Sequence, residues 1–173
     1  MKKYELTDEK ITVGDRTLYR IRALGDFANV RRSELGGYIE SENNLSHSGN
    51  AWVYGNAWVY GNARVYGKAR VYGKALVYGK ARVSGNAWVS DNARVYGNAR
   101  VYGKAWVYDN AWVYGEALVY GKAWVYGKAR VSGEALVYTE KNMNTQIFEI
   151  LTAGIILAAL LFVLTVIILI KGW

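Results

Sequence analysis

Small and aliphatic residues alternate with polar or aromatic ones in a period of six through the middle of the chain. The unit Ala-x-Val-Tyr-Gly-x, in which x varies, recurs fifteen times without a gap from Ala51 onward. In a helix, positions six apart lie about 120° apart around the axis, so Ala and Val would spread over every side. In an extended segment Ala and Val share one side, and x and Tyr share the other. Each unit therefore predicts one short strand followed by a bend at Gly.

The repeat resembles the hexapeptide-repeat superfamily, in which a small residue precedes an inward aliphatic residue by two positions. Here such pairs run from Ala51 with Val53 to Ala135 with Val137. The resemblance implies an all-β solenoid, a left-handed parallel β-helix of five to six coils with three repeats per coil. Residues 18 apart would then stack about 4.8 Å from one another. The motifs Leu-Gly-Gly-Tyr-Ile-Glu at 35–40 and Asn-Leu-Ser-His at 44–47 are similar to the lead-in of short uncharacterised bacterial and phage members.

The residues before the repeats predict a small β-rich cap at 1–44. An open solenoid end exposes strand edges and core, so the first coil needs a cover. Ile11-Thr12-Val13 and a second apolar segment, 17–21, flank Gly14-Asp15 as in a hairpin. The β-helix itself is expected at 45–140. Its first hexad, 45–50, is degenerate and places His47 where the inward Val would lie.

A long apolar segment ends the chain. The residues from Ile150 to Ile170 carry no charge, and at 1.5 Å per residue they span about 31 Å, the thickness of a bilayer's hydrocarbon core. We expect one transmembrane α-helix at 150–170, a linker at 141–149 and a short tail at 171–173. This predicts a single-pass, tail-anchored membrane protein with its solenoid on the cytoplasmic side.

Two features of this C-terminal part leave alternatives open. Gly154 and Ala158 have the small-xxx-small spacing that lets membrane helices pack closely, although Gly and Ala are frequent in membrane spans in any case. The composition changes abruptly at 141–144, where Met143 resembles a start residue. Whether 141–173 belongs natively to the solenoid or is a fused segment is therefore open.

Composition and charge narrow the chemistry. The chain lacks Cys and has a single His, which excludes disulfides, thiol nucleophiles and Cys- or His-based metal centres. We expect neither a metal nor a cofactor. The net charge of +8 is concentrated in residues 51–140, which hold twelve Lys/Arg and five Asp/Glu. This basic surplus is evidence about partners.

Arginines recur on one predicted side of the solenoid. Arg64, Arg82 and Arg100 are spaced by 18 and would lie about 5 Å apart, where like charges repel unless they are neutralised. One interpretation is an anionic partner, such as anionic lipid or nucleic acid, bound by basic residues interleaved with aromatic ones. The alternative is that the Arg stems stack on Tyr rings while their charged groups stay in water.

Tryptophans recur on another side, at Trp52, Trp88, Trp106 and Trp124. An exposed aromatic patch of this kind favours self-association. Members of the superfamily commonly form trimers, so the resemblance implies a homo-oligomer, with a trimer favoured. The alternative is that the rings stabilise the solenoid by stacking on each other.

Together these features favour a non-catalytic, membrane-anchored structural or binding scaffold. Many hexapeptide-repeat proteins are acyltransferases with a His base and looped-out segments, so an acyltransferase-like enzyme is an alternative. This chain has one His and no insertion in its repeats, and His47 is expected to be a hydrogen-bonded cap residue rather than a general base. A second alternative is a phage-type membrane-active oligomer that acts through the C-terminal helix. The sequence identifies no small-molecule substrate.

Overall fold

The structure is a computed structural model that describes residues 2–139, and it begins with an antiparallel cap. Strands β1 (Tyr4–Val13) and β2 (Arg16–Ala23) form the predicted hairpin. The chain turns at Gly14, whose φ of +62° favours glycine. Strand β3 (Leu35–Ile39) pairs antiparallel with β2 and completes the cap sheet.

The predicted membrane helix at 150–170, with Gly154 and Ala158, lies outside the described residues. So do the linker at 141–149 and the tail at 171–173. Among residues 2–139, no helix is long and apolar enough to cross a bilayer.

One short strand forms in each of the fifteen repeats, which confirms the prediction from the period of six. The strands are β4 (Trp52–Val53), β5 (Trp58–Val59), β6 (Arg64–Val65), β7 (Arg70–Val71), β8 (Leu76–Val77), β9 (Arg82–Val83), β10 (Trp88–Val89), β11 (Arg94–Val95), β12 (Arg100–Val101), β13 (Trp106–Val107), β14 (Trp112–Val113), β15 (Leu118–Gly121), β16 (Trp124–Val125), β17 (Arg130–Val131) and β18 (Leu136–Thr139).

These strands build three parallel sheets, which we call faces A, B and C. Face A contains β4, β7, β10, β13 and β16; face B contains β5, β8, β11, β14 and β17; face C contains β6, β9, β12, β15 and β18. Strands of successive coils pair in a register of 18 residues, as Trp88 does with Trp106 and Arg64 with Arg82. The protein is therefore an all-β solenoid of about six turns, counting β3 as the first strand of face B.

The interior is made of the two residue types that the repeat places inward. No repeat Val is more than 4% exposed. Burying each Val side chain contributes about 2 kcal/mol relative to leaving it in water. Backbone hydrogen bonds join the coils; the N–H of Trp52 donates to Ala69 O at 3.0 Å and that of Tyr54 to Val71 O at 2.8 Å. Small inward side chains and this bonding hold the three sheets close around a narrow core.

The corners between faces require a left-handed backbone. The repeat glycines have φ between +57° and +75°. Asp91 and Asp109 adopt the same conformation, with φ of +59° and +60°, at the corner between faces A and B. Asp is one of the few residues other than Gly that tolerate this region. The Asp109 carboxylate also accepts a hydrogen bond from the N–H of Gly127 at 3.0 Å.

Strand β3 connects the cap to the solenoid. Its Tyr38 and Ile39 pair in parallel with Trp58 and Val59, so β3 is both the last strand of the cap sheet and the first strand of face B. Leu45 similarly pairs with Val65, below face C. Both pairings join residues 20 apart rather than 18. Counting in sixes does not detect this first, longer coil.

The prediction that His47 occupies an inward Val place is therefore wrong. Leu45, which is fully buried, fills the place over Val65. His47 lies on the cap with its ring stacked on that of Tyr4, at 4.2 Å between centroids. Its Nδ1 accepts a hydrogen bond from the Lys3 N–H at 3.2 Å, and its Nε2 lies 3.3 Å from a Glu42 carboxylate oxygen. The expected hydrogen bonding of His47 within the cap is present.

Asn44 joins the cap to the first full coil, and replacing it tests this junction. Its side chain is fully buried and donates to the carbonyl oxygens of Gly61 at 2.9 Å and Ala63 at 3.0 Å, while its Oδ1 accepts from the Ser41 N–H at 2.9 Å. We expect Asn44→Ala to lower the free energy of unfolding by about 2–3 kcal/mol, because buried backbone groups lose their partners. Urea denaturation followed by circular dichroism measures this. The exposed Asn43→Ala should change it by under about 0.5 kcal/mol; equal effects would contradict the assignment.

Candidate functional site

Trp52 is not part of an exposed aromatic surface, so this part of the sequence prediction is wrong. It is fully buried beneath the cap. Its ring packs edge-on against Phe27 at 5.3 Å and Tyr4 at 6.0 Å between centroids. The cap segment that carries Phe27 folds over the first coil of face A. The apolar residues Tyr4 and Phe27 were the sequence signal for this cover, although nothing in the repeat shows where they would pack.

The other three tryptophans of face A form a continuous stack, Trp88, Trp106 and Trp124. The ring centroids of Trp88 and Trp106 are 4.7 Å apart, and those of Trp106 and Trp124 are 5.7 Å apart. The Arg70 guanidinium lies over the Trp88 ring at 5.5 Å. Exposure rises along this tryptophan stack and reaches 38% at Trp106 and 54% at Trp124. Face A is therefore closed by the cap at one end and presents indole rings toward the other.

Face B is held together by its own aromatic and cationic contacts. Its tyrosines stack in parallel with centroid distances of 5.1, 4.9 and 5.0 Å, in the order Tyr60, Tyr78, Tyr96 and Tyr114. Beside them, the guanidinium groups of Arg94 and Arg130 lie over the two sides of the Trp112 ring, at 4.9 and 4.6 Å. The arginines of face B therefore have aromatic partners within the fold.

The arginine ladder of face C consists of Arg64, Arg82 and Arg100, which pair in register. All three side chains are exposed. In the described part of the chain, none of them forms an ion pair or a cation–π contact. Glu40 borders the same cavity as Arg64, but it binds Arg16 Nη1 at 2.8 and 2.9 Å. Three like charges one coil apart are thus left to solvent or to a partner.

The surroundings of the arginine ladder are also basic. The three repeats that carry it add Lys68 and Lys104 and contain no Asp or Glu. In the last two coils the equivalent outward positions of face C are Leu118 and Leu136, with Glu116 and Glu134 at the neighbouring corner. Lys122 occupies the corner position that Lys68 and Lys104 have in their coils, so the arginines of face C, but not every lysine beside them, are confined to the first three coils.

A gap in the tyrosine column adjoins these arginines. Ser84 stands where the repeat has Tyr, between Tyr66 and Tyr102 one coil to either side. These two tyrosines are 40% and 37% exposed. Beyond the gap, Tyr102 stacks on Tyr120 at 5.2 Å between centroids. The missing ring at position 84 thus exposes aromatic surface next to Arg82.

The titratable groups of the solenoid serve packing. Burial raises the pKa of Tyr54, Tyr60 and Tyr78 above the ordinary value of a phenol, as expected for rings packed within the stacks. In the cap, burial lowers the pKa of Lys3 to about 8, and its Nζ donates to Ala51 O at 2.8 Å. Within residues 2–139, no three His, Asp or Glu side chains come together in a way that could hold a metal ion.

Two segments of the repeat region match a known protein family. Residues 57–73 and 93–109 match the family described as the YdcK beta solenoid repeat. Each matched segment spans 17 residues, close to one 18-residue coil. The match supports a YdcK-type β-solenoid repeat, in agreement with the observed fold. No curated protein matches the chain.

Trp112 tests whether the arginines of face B are structural. We expect Trp112→Leu to lower the free energy of unfolding by about 2 kcal/mol more than Trp58→Leu, because only Trp112 has a guanidinium on each side of its ring. Thermal and urea denaturation of both variants measure the difference. Equal losses would mean that the two cation–π contacts add nothing to ring burial.

Proposed function

We propose that this protein is a non-catalytic binding scaffold whose arginine ladder binds the phosphate groups of an anionic partner. The observation that carries the proposal is the register of Arg64, Arg82 and Arg100, all exposed and unpaired within residues 2–139. Like charges held one coil apart repel, and a polyanion along the face would neutralise them. Binding would therefore relieve the electrostatic repulsion that the register of the coils imposes on these arginines.

The contrast with the other faces supports this interpretation over purely structural arginines. Arg70, Arg94 and Arg130 each lie over a Trp ring. Such contacts are worth about 0.5–2 kcal/mol each, so those arginines are accounted for by packing. The face C arginines have no aromatic partner of this kind in the described chain. Their guanidinium groups remain free to form bidentate bonds to phosphate.

Exposed aromatic rings favour single-stranded nucleic acid as the partner. Proteins that bind single strands combine a basic track with aromatic side chains on which bases stack. Tyr66 and Tyr102 offer exposed ring surface on either side of Ser84, next to Arg82. A lipid surface would use the same cations, but it offers no bases for these rings to stack on. Anionic lipid is therefore the alternative that the experiment below distinguishes.

Removing the arginine ladder should weaken polyanion binding. We expect Arg64→Gln/Arg82→Gln/Arg100→Gln in the full chain to weaken binding of a labelled oligothymidylate and to lower the slope of log K against log salt by about 2, since three phosphate contacts are lost. Fluorescence anisotropy at several salt concentrations measures both quantities. The variant should be at least as stable as the wild type in thermal denaturation, because repulsion within the ladder is removed.

The matched control is Arg70→Gln/Arg94→Gln/Arg130→Gln, which removes the same net charge from faces A and B. It should keep the wild-type salt slope. Equal losses of affinity and salt slope in the two triple variants would mean that the effect depends on net charge alone, and the proposal would be wrong. Vesicles of anionic and of neutral lipid form the second arm: a preference of the wild type for anionic vesicles that the ladder variant loses, without binding to the oligonucleotide, would replace nucleic acid by lipid.

We also propose that the scaffold is anchored to a membrane by 150–170, with the solenoid on the cytoplasmic side, and that the solenoid is left-handed as in hexapeptide-repeat proteins. The uncharged apolar segment supports the first part and the repeat supports the second. Anchoring would hold the basic face near the anionic inner leaflet. There each Lys or Arg close to the surface adds about 1 kcal/mol.

Self-association through face A is a second candidate function. Among residues 2–139, Trp106 and Trp124 are the most exposed indoles, and the cap does not cover them. Exposed aromatic surface of this kind is typical of an interaction site. We propose a homo-oligomer, with a trimer favoured, that packs these rings between copies.

Replacing both indoles should reduce the oligomer. We expect Trp106→Gln/Trp124→Gln to lower the mass of the detergent-extracted full chain toward that of a monomer, as measured by light scattering. Gly154→Ile tests assembly through the predicted membrane helix instead. If only Gly154→Ile lowered the mass, face A would not be the interface.

A further inference from the structure

A cavity of about 550 Å³ opens on face A at Ser90. Its walls include Tyr72, Trp88, Trp106 and Tyr108, and Ser90 and Asp91 supply its polar part. This volume lies within the range of small-molecule sites in proteins. The cavity lies on a different face from the arginine ladder, so the inference below does not depend on anion binding. It shares Trp106 and Trp124 with the surface proposed for self-association, so a ligand and a second copy would compete for these two rings.

The cavity arises because one tyrosine ring is missing. Ser90 replaces the repeat Tyr, and the stacks Tyr54–Tyr72 and Tyr108–Tyr126, with centroid distances of 4.5 and 5.3 Å, stop on either side of it. Two coil steps separate Tyr72 from Tyr108, which is roughly 10 Å. An inserted ring would lie one ordinary step, about 5 Å, from each neighbour. Trp88 borders the same space, with its ring 5.7 Å from that of Tyr72 and tilted by 58°.

The polar part of the cavity carries a negative charge. Asp91 Oδ2 accepts a hydrogen bond from Ser90 Oγ at 2.9 Å, and the N–H of Asp109 lies 3.4 Å away from the same oxygen. The other oxygen, Oδ1, has no hydrogen-bond donor in the described chain, and the carboxylate has no Lys or Arg partner there. The faces of indole and phenol rings attract cations, and they also stack on flat rings. The Arg70 guanidinium already lies over Trp88 and donates to Tyr72 Oη at 3.3 Å, so a cationic group fits the Asp91 side of the cavity and an uncharged flat ring fits its aromatic side.

We propose that this cavity binds a small molecule with one planar aromatic ring and a cationic amine. The ring lies in the place of the missing tyrosine, between Tyr108 on one side and Tyr72 with Trp88 on the other. The ammonium group donates to Asp91 Oδ1. The site would thus discriminate by two independent features of the ligand, ring planarity and positive charge.

Three probes separate these features. Tyramine has both the ring and the amine, p-cresol keeps the ring without the amine, and 2-cyclohexylethylamine keeps the amine without a planar ring. We expect tyramine to bind the full chain at least about fivefold more tightly than either of the others, as the loss of one cation or stacking contact implies. Isothermal titration calorimetry and quenching of Trp fluorescence report the binding. Equal affinity for the three probes would overturn the proposal.

Two variants place the binding at this cavity. Ser90→Tyr fills the gap with the repeat residue and should abolish tyramine binding, whereas the matched variant Ser84→Tyr, which fills the gap on face C, should leave it unchanged. Thermal denaturation checks that Ser90→Tyr is folded; restoring the stack should raise its melting temperature. Retained binding in Ser90→Tyr, or loss in Ser84→Tyr, would assign the probe to another surface.

Asp91→Asn provides a test that does not fill the cavity. Asn tolerates the φ of +59° at this position, so the corner keeps its conformation. Tyramine affinity should fall about fivefold or more, to the level of p-cresol, while p-cresol affinity stays the same. An equal fall for both probes would mean that Asp91 shapes the cavity rather than binding the amine.

Discussion

The 18-residue register between coils is the constraint on which the rest of the structure depends. It is set by inward Ala and Val side chains and by backbone bonds such as Trp52 N–H to Ala69 O. Once it holds, every outward residue lies about 5 Å from its equivalent in the next coil. An outward side chain must therefore be able to lie next to a side chain of the same type in the neighbouring coil. Aromatic rings satisfy this condition by stacking, whereas like charges do not.

The distribution of arginine follows from this constraint. On face B, Arg94 and Arg130 are separated by Trp112, so each charge lies on a ring rather than next to another charge. On face A, Arg70 is followed by Trp88 in the same way. Only on face C do arginines occupy three successive coils within the described residues. This difference in order, rather than the number of arginines, separates the proposed binding surface from the arginines that pack on rings.

The sequence predicts the solenoid well and its first coil poorly. The strands, the faces and the hairpin at Gly14 follow from periods of six and two, which depend on local geometry alone. The burial of Trp52 and the replacement of His47 by Leu45 depend on the cap, which has no period. The pairing of Tyr38 with Trp58 spans 20 residues, so it is invisible to a search for repeats of 18. The repeat pattern therefore does not predict the contacts between the cap and the solenoid.

The serine gaps were visible in the sequence, but their consequence needs three dimensions. Taken alone, Ser90 removes a small aromatic surface, and Asp91 is a corner residue in a conformation that Gly adopts more easily. The two residues together lower the stability of the fold, because the missing ring also gives up two stacking contacts of about 0.5–1.5 kcal/mol each. Side by side, the two departures produce one cavity with a carboxylate at its polar part. In a protein built from one repeated unit, the invariant positions explain the stability of the fold, so specificity for a partner has to come from the variable outward positions and from positions that depart from the repeat.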